Sequence, residues 1–362
     1  MAHRLCFVLG TRPEIIKLSP VIKECEKRNI EFFIIHTGQH YSENLDHVLF
    51  EQLRIPSPDH NLEIGSAPHG RQVGEMIVGI ESALEDKKPK YVFVQGDTNS
   101  VLAGSVAAGK MTGVEVCHVE AGLRSYDMEM PEEVNRRLSD HVSDHHFVPT
   151  EESCDNLLAE NIPARNITVT GNTIVDAVKR NVHIARKDSD VLDELSIDGS
   201  FALLTAHRAE NVDDQQRFIS LLEGVAEAAR KHEIPVVYPI HPRAEERISE
   251  FELKIPQEIQ VVESLDFLDF LALEEGAEIV FTDSGGVQEE TCILRTPCVT
   301  LRDNTERPET VDVGANVIVG VGSDDVVEGA DVMINKNKDW ENPFGDGTAA
   351  ERILDTLEFK GE

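Results

Sequence analysis

Ser284, Gly285 and Gly286 follow an apolar strand and open a helix, in the run Phe281-Thr-Asp-Ser-Gly-Gly-Val-Gln-Glu-Glu290. A helix N-terminus presents unpaired N–H groups and the positive end of a dipole, so this turn is built for an anion. Two glycines let a phosphate approach the backbone closely. Glu290, about one turn further on, can accept from two vicinal hydroxyls of a ribose. The run reads as a site for a nucleoside diphosphate.

Two further groups carry chemistry. Asp97, Glu120 and Glu133 are carboxylates suited to general acid and base work around a sugar ring, and clustering moves carboxylate pKa values into a useful range. Arg12, Lys17, Arg124, His207, Arg208, His241 and Arg307 are cations in a very acidic chain, and cations gathered there suit a diphosphate. His141, Asp144, His145 and His146 lack a metal-ligand spacing and are read as structural, so no metal is expected. The first turn, Gly10-Thr11-Arg12, has neither the dinucleotide glycine pattern nor a Lys-Ser/Thr phosphate loop. Neither NAD nor ATP is expected, and no cofactor is needed.

The elements that position these residues alternate. Strand signals at 4–9, 31–35, 91–95, 114–119, 146–148 and 167–170 are separated by helical stretches, and the alternation restarts with strands at 201–205, 236–240, 259–262, 279–281, 298–301 and 317–319. Such alternation specifies parallel sheets with crossover helices. The expected fold is α/β, with two Rossmann-like doubly wound domains over 1–170 and 171–345. The last helix, within 346–358, is a candidate to pack back on the first domain. Arg12, His40, Asp97, Glu120, His207, His241 and Ser284 all stand at the C-terminal ends of strands, where open parallel sheets bind ligands. A cleft between the two domains would collect them.

Length and composition fit this reading. The chain has 362 residues, enough for two cores, and its 40% hydrophobic fraction is that of a globular protein. Its 34 basic and 67 acidic residues leave a net charge of −33, which argues against nucleic acid and anionic membrane as partners. The acids are spread along the chain, a pattern that reads as adaptation to high salt. Six cysteines without a Cys-x-x-Cys pair, and an N-terminus that enters a strand directly, suggest reduced thiols in the cytoplasm.

These motifs, in order along nearly the whole chain, closely resemble the UDP-N-acetylglucosamine 2-epimerase family. The resemblance rests on Gly10-Thr11-Arg12-Pro13-Glu14, Thr37-Gly38-Gln39-His40-Tyr41, Gln95-Gly96-Asp97-Thr98, His118-Val119-Glu120-Ala121-Gly122-Leu123-Arg124, Pro131-Glu132-Glu133-Val134-Asn135-Arg136, Thr205-Ala206-His207-Arg208, His241-Pro242, Asp283 to Glu290, Thr305-Glu306-Arg307-Pro308-Glu309 and Asn342-Pro343-Phe344-Gly345-Asp346-Gly347. It implies a glycosyltransferase B type fold, a homodimer and reversible inversion at C2 of a UDP-sugar. The implied route eliminates UDP to a 2-acetamidoglucal and adds it back. It further implies catalytic roles for Asp97, Glu120, Glu133 and His207, and UDP or sugar contacts for Arg12, Lys17, His40, Arg124, Arg136, His241, Ser284, Gly285, Gly286, Glu290 and Arg307. Ala209 departs from the pattern, standing where many bacterial members carry a second arginine. A hydrolysing epimerase, an epimerase of a UDP-diacetamido uronic acid, and a non-catalytic nucleotide-sugar sensor are the alternative readings.

Overall fold

The computed structural model describes residues 5–39 and 43–357. The chain divides into two units: residues 1–177 with 344–362, and residues 178–343.

Among the described residues, the first unit holds a seven-stranded parallel sheet in the order β3-β2-β1-β4-β5-β6-β7. The strands are β1 (Leu5–Leu9), β2 (Phe32–His36), β3 (His60–Asn61), β4 (Tyr91–Gln95), β5 (Glu115–Val119), β6 (His145–Val148) and β7 (Ile167–Val169). The short edge strand β3 has no apolar signal and is not legible in the sequence. The central strand β1 is buried along its whole length, as expected of a parallel strand covered on both faces. Phe7 and Phe93 stack within the sheet layer at 5.0 Å between ring centroids.

The second unit has a six-stranded parallel sheet in the order β10-β9-β8-β11-β12-β13. Its strands are β8 (Ala202–Thr205), β9 (Val236–Pro239), β10 (Ile259–Val262), β11 (Ile279–Thr282), β12 (Cys298–Thr300) and β13 (Asn316–Ile318). In both units the order reverses beside the first strand, which makes each sheet doubly wound and sets a switch point at its C-terminal edge.

The segment 186–198, read as a linker or outer helix, is the end of the helix Thr173–Asp188 followed by the short helix Val191–Glu194. The helix Ala349–Thr356 belongs to the first unit and packs on the helix Arg12–Lys27. Asp176 accepts from Ala349 N and Ala350 N at 3.3 and 3.0 Å, capping the helix's open N–H groups. Arg28 Nη1 donates to Asp355 at 2.6 Å near its other end.

Candidate functional site

Three adjacent elements of the first unit bring Asp97, Glu120 and Glu133 forward. Asp97 follows β4, Glu120 follows β5, and Glu133 lies in the first turn of the helix Pro131–Val142. Pro131 suits that first turn, where the missing N–H would have no partner anyway. Glu120 has φ = 66°, a left-handed backbone that costs a non-glycine residue energy and recurs at functional sites. Its amide is nevertheless held, donating to Phe147 O at 3.0 Å. Glu120 Oε2 accepts from Lys17 Nζ at 2.6 Å, with both residues buried. Glu133 is completely buried, and its Oε2 accepts from Ser125 N, Ser125 Oγ and Arg136 Nη1 at 2.8, 3.0 and 3.0 Å. Its Oε1 has no hydrogen-bond partner among the described residues. Arg136 also pairs with Asp97, so one guanidinium bridges two of the three carboxylates.

The turn before these elements contains a residue that sequence reasoning passed over. Glu14 Oε2 accepts from Gly10 N and Thr11 N at 2.6 and 2.8 Å, closing a capping box on the helix Arg12–Lys27. Thr98 Oγ1 donates to its other oxygen. Burial pushes the Glu14 carboxyl up to about 7, against these donors. The signal was the Thr-x-x-Glu spacing at Thr11 and Glu14, which marks a helix start but not a buried acid. A pocket of about 410 Å³ opens over this turn, lined by Arg12, Gln39, His69, Asp97, Asn99 and Asn135 among others. That volume is in the range of small-molecule sites. Arg12, at the helix start, is exposed on this lining.

Arg124, a substrate contact by resemblance, has a completely buried side chain bonded to Asp140 and Glu160 at 2.7 and 2.8 Å. Its charge serves the interior of the first unit. In the histidine cluster, His145 Nε2 lies 2.7 Å from Glu115, and His146 Nε2 lies 2.7 Å from Asp140 O. His40 falls outside the described residues.

In the second unit, the ends of β8 and β11 are tied through Asp283, a buried residue the sequence reading left unassigned. Its carboxylate accepts from His207 N at 3.0 Å, Arg208 N at 3.0 Å and Asn211 Nδ2 at 3.2 Å. The turn carrying His207 is thereby fixed, with its ring partly exposed and Nδ1 3.3 Å from Asp283 Oδ1. The His241 ring lies 5.2 Å from that of His207. His241 caps the helix Pro242–Glu250 by accepting from Arg243 N through Nδ1. Burial, then the neighbouring His207, hold the His241 ring below the usual histidine range.

Ser284 is the N-cap of the helix Gly285–Leu294, and Gly285 and Gly286 are its first residues. A Cβ added at Gly286 would meet only Ser284 Oγ at 3.9 Å, so the approach to this terminus is open. Glu290 lies on the same helix beside Glu274 of the helix Phe267–Gly276. Burial, and then the charge of Glu290, push Glu274 well above the usual carboxylate range. Arg307 Nε is 2.6 Å from Glu289 Oε1, which fixes it against the same helix. The second unit thus pairs an anion-accepting helix start with two histidines and a carboxylate. The first unit gathers carboxylates and compensating cations suited to moving protons.

The family model for UDP-N-acetylglucosamine 2-epimerase matches residues 23–358. A UDP-N-acetylglucosamine 2-epimerase of Methanocaldococcus jannaschii is 51% identical, the alignment covering 98% of this chain and 99% of that protein. A UDP-2,3-diacetamido-2,3-dideoxy-D-glucuronate 2-epimerase of Pseudomonas aeruginosa is 41% identical, over 98% of this chain and 99% of that protein. The crystal structure of the M. jannaschii UDP-GlcNAc 2-epimerase in complex with UDP-GlcNAc and UDP superposes with a TM-score of 0.89 at 50% identity, covering 99% of this chain and 100% of that one. No helix among the described residues is long and apolar enough to cross a membrane.

Proposed function

The chain belongs to the UDP-N-acetylglucosamine 2-epimerase family, and from that premise we propose that it interconverts UDP-N-acetylglucosamine and UDP-N-acetylmannosamine by inversion at C2. The observation that carries this reading is the carboxylate trio of Asp97, Glu120 and Glu133, with Glu133 Oε1 buried and without a donor among the described residues. A buried carboxylate oxygen lacking a partner calls for an explanation, and a proton of the sugar supplies one.

The C2 hydrogen of the sugar is weakly acidic, so its removal alone would leave a costly carbanion. One carboxylate of the trio takes the proton as the C1–O bond breaks. The bonding pair of that C1–O bond departs with UDP, and a C1–C2 double bond forms. A second acid group of the site then gives a proton to the opposite face of C2 while UDP re-adds at C1, and the proton held by the first carboxylate passes to solvent. Atoms and electrons balance without an external oxidant or reductant. Donors at Ser284, Gly285 and Gly286, with the ring N–H groups of His207 and His241, stabilise the charge gathering on the leaving diphosphate. Glu290 holds the ribose hydroxyls. Lys17 and Arg136 keep Glu120, Glu133 and Asp97 in place.

Incubation with UDP-N-acetylglucosamine in heavy water tests this route. The product should be UDP-N-acetylmannosamine carrying deuterium at C2, read by NMR. Retention of the original hydrogen would overturn the elimination, and release of free N-acetylmannosamine would identify a hydrolase. The 41% identity to the diacetamido-uronate epimerase supports a second reading, so that sugar belongs in the same assay as a competitor. A homodimer in the cytoplasm completes the proposal. The free cysteines, mostly buried, support the compartment, and light scattering tests the assembly.

A further inference from the structure

His118 lies on β5, two residues before Glu120, and is completely buried. Its Nδ1 is 2.7 Å from Asp140 Oδ1, and its Nε2 is 2.8 Å from the carbonyl oxygen of Gly96. A carbonyl oxygen only accepts, so Nε2 carries a hydrogen. Asp140 Oδ2 is itself 2.7 Å from Arg124 Nη1 and 3.3 Å from Gly122 N, which hold that carboxylate in its ionised form. An ionised carboxylate also only accepts, so Nδ1 carries a hydrogen too. A ring with both nitrogens donating is an imidazolium.

The two contacts tie three elements together. Gly96 leads directly into Asp97 at the end of β4. His118 sits on the strand that leads to Glu120. Asp140 belongs to the helix Pro131–Val142, which carries Glu133 in its first turn. We propose that His118 is a positioning residue, a permanently charged imidazolium that fixes Asp97, Glu120 and Glu133 relative to one another. This inference rests on the epimerase reading of those three residues.

The surroundings balance the charge. Arg124 and His118 are offset by Asp140 and by Glu160, whose Oε2 is 2.8 Å from Arg124 Nη2. The neighbouring strand contributes His146, paired in register with His118. His146 meets two backbone carbonyls, one of them at 3.2 Å, and no carboxylate among the hydrogen bonds described for it. No carboxylate pairs with a second ring proton here and burial holds the ring below the usual histidine range, so His146 donates through Nε2 to the nearer carbonyl, Asp140 O at 2.7 Å, and its longer Nδ1 contact with Asn166 O needs no proton. For His118, burial opposes the charged form, yet Asp140 outweighs it and raises the ring above the usual range, with Arg124 opposing.

The experiment joins a spectroscopic and a kinetic arm, both on the full-length enzyme. Long-range proton–nitrogen NMR of the wild type should show one histidine with both ring nitrogens still protonated at a pH where ordinary histidines, with a midpoint of about 6.5, are neutral. That signal should vanish in H118Q. In the second arm, H118Q and H118N should lower kcat by about 10-fold to 100-fold, the scale of a displacement near 1 Å. KM and UDP affinity should change less than about twofold, a split that general misfolding would not give. A His118 ring that titrates near its ordinary value, or kcat within about twofold of wild type in both variants, would overturn the proposal. If the wild type failed to exchange the C2 hydrogen, the epimerase reading would fall instead, and the NMR arm would still decide the charge of His118.

Discussion

Lys17 Nζ lies 2.6 Å from Glu120 Oε2, across 103 positions of sequence, and both side chains are buried. The pair joins the helix after β1 to the end of β5, two elements separated in the sheet only by β4. Removing one partner of a buried ion pair leaves an uncompensated charge, a loss of about 3–5 kcal/mol, whereas removing both with apolar groups costs far less. Lys17→Met should therefore destabilise the protein strongly in urea titrations. Lys17→Met combined with Glu120→Leu should recover much of that stability while remaining inactive. A fully stable single variant would show that the pair is not what holds these elements.

Glu120→Gln and Glu133→Gln should each slow turnover by about 10²-fold to 10⁴-fold, the usual scale for losing a general acid or base. Calorimetry should show UDP binding unchanged in both, because the contacts assigned to UDP lie mainly in the second unit. Glu290→Ala should do the reverse, weakening UDP more than it slows the saturated rate. Near-normal turnover in the two glutamine variants would make those carboxylates structural.

The Glu14 carboxyl gives a pH signature. Burial, the larger effect, raises it to about 7 from an unfolded value of 4.5, so the folded protein binds a proton that the unfolded chain has released. Its contribution is full below the unfolded value and is lost as pH rises to the folded one. Glu14→Gln cannot titrate. The melting temperature of the wild type relative to Glu14→Gln should therefore fall between about pH 5 and about pH 7, then stay flat above about pH 8. A difference that is constant across this range would place the Glu14 pKa at an ordinary carboxylate value.

Salt should raise the melting temperature. At a net charge of −33, surface carboxylates repel one another over about 30 Å in 0.01 M salt but only about 3 Å in 1 M. Differential scanning calorimetry in dilute buffer and in molar KCl measures the difference. A flat response would mean that the acidity serves solubility rather than a saline environment.

Much of this was legible before any coordinates. Apolar runs alternating with helical periods located both sheets, because parallel strands are buried on two faces and carry a continuous signal. The strand ends exposed Asp97, Glu120 and Ser284 as polar interruptions. What remained hidden depends on packing between distant segments. Arg124 reads as a substrate cation until Asp140 and Glu160 are seen to enclose it. Glu14 is passed over in the sequence until its burial and its contact with Thr98 are seen. The left-handed φ of Glu120 has no sequence signal at all, since such a conformation is normally announced by glycine or asparagine.

The helix Ala349–Thr356 sets an order on how the protein is made. The second unit, residues 178–343, is contained in one uninterrupted stretch. The first unit begins the chain yet includes residues from Phe344 onward, so it stays open while the second is synthesised. During vectorial translation the unit that starts first finishes last. Until the ribosome releases residues 349–356, the surface of the helix Arg12–Lys27 that they cover is bare, and the N–H groups that Asp176 caps do not yet exist. A chain stopped at residue 343 should lose protease resistance in residues 1–177 while residues 178–343 keep theirs, and mass spectrometry of the fragments would show it. Equal resistance in both would mean that the first unit closes without its final helix.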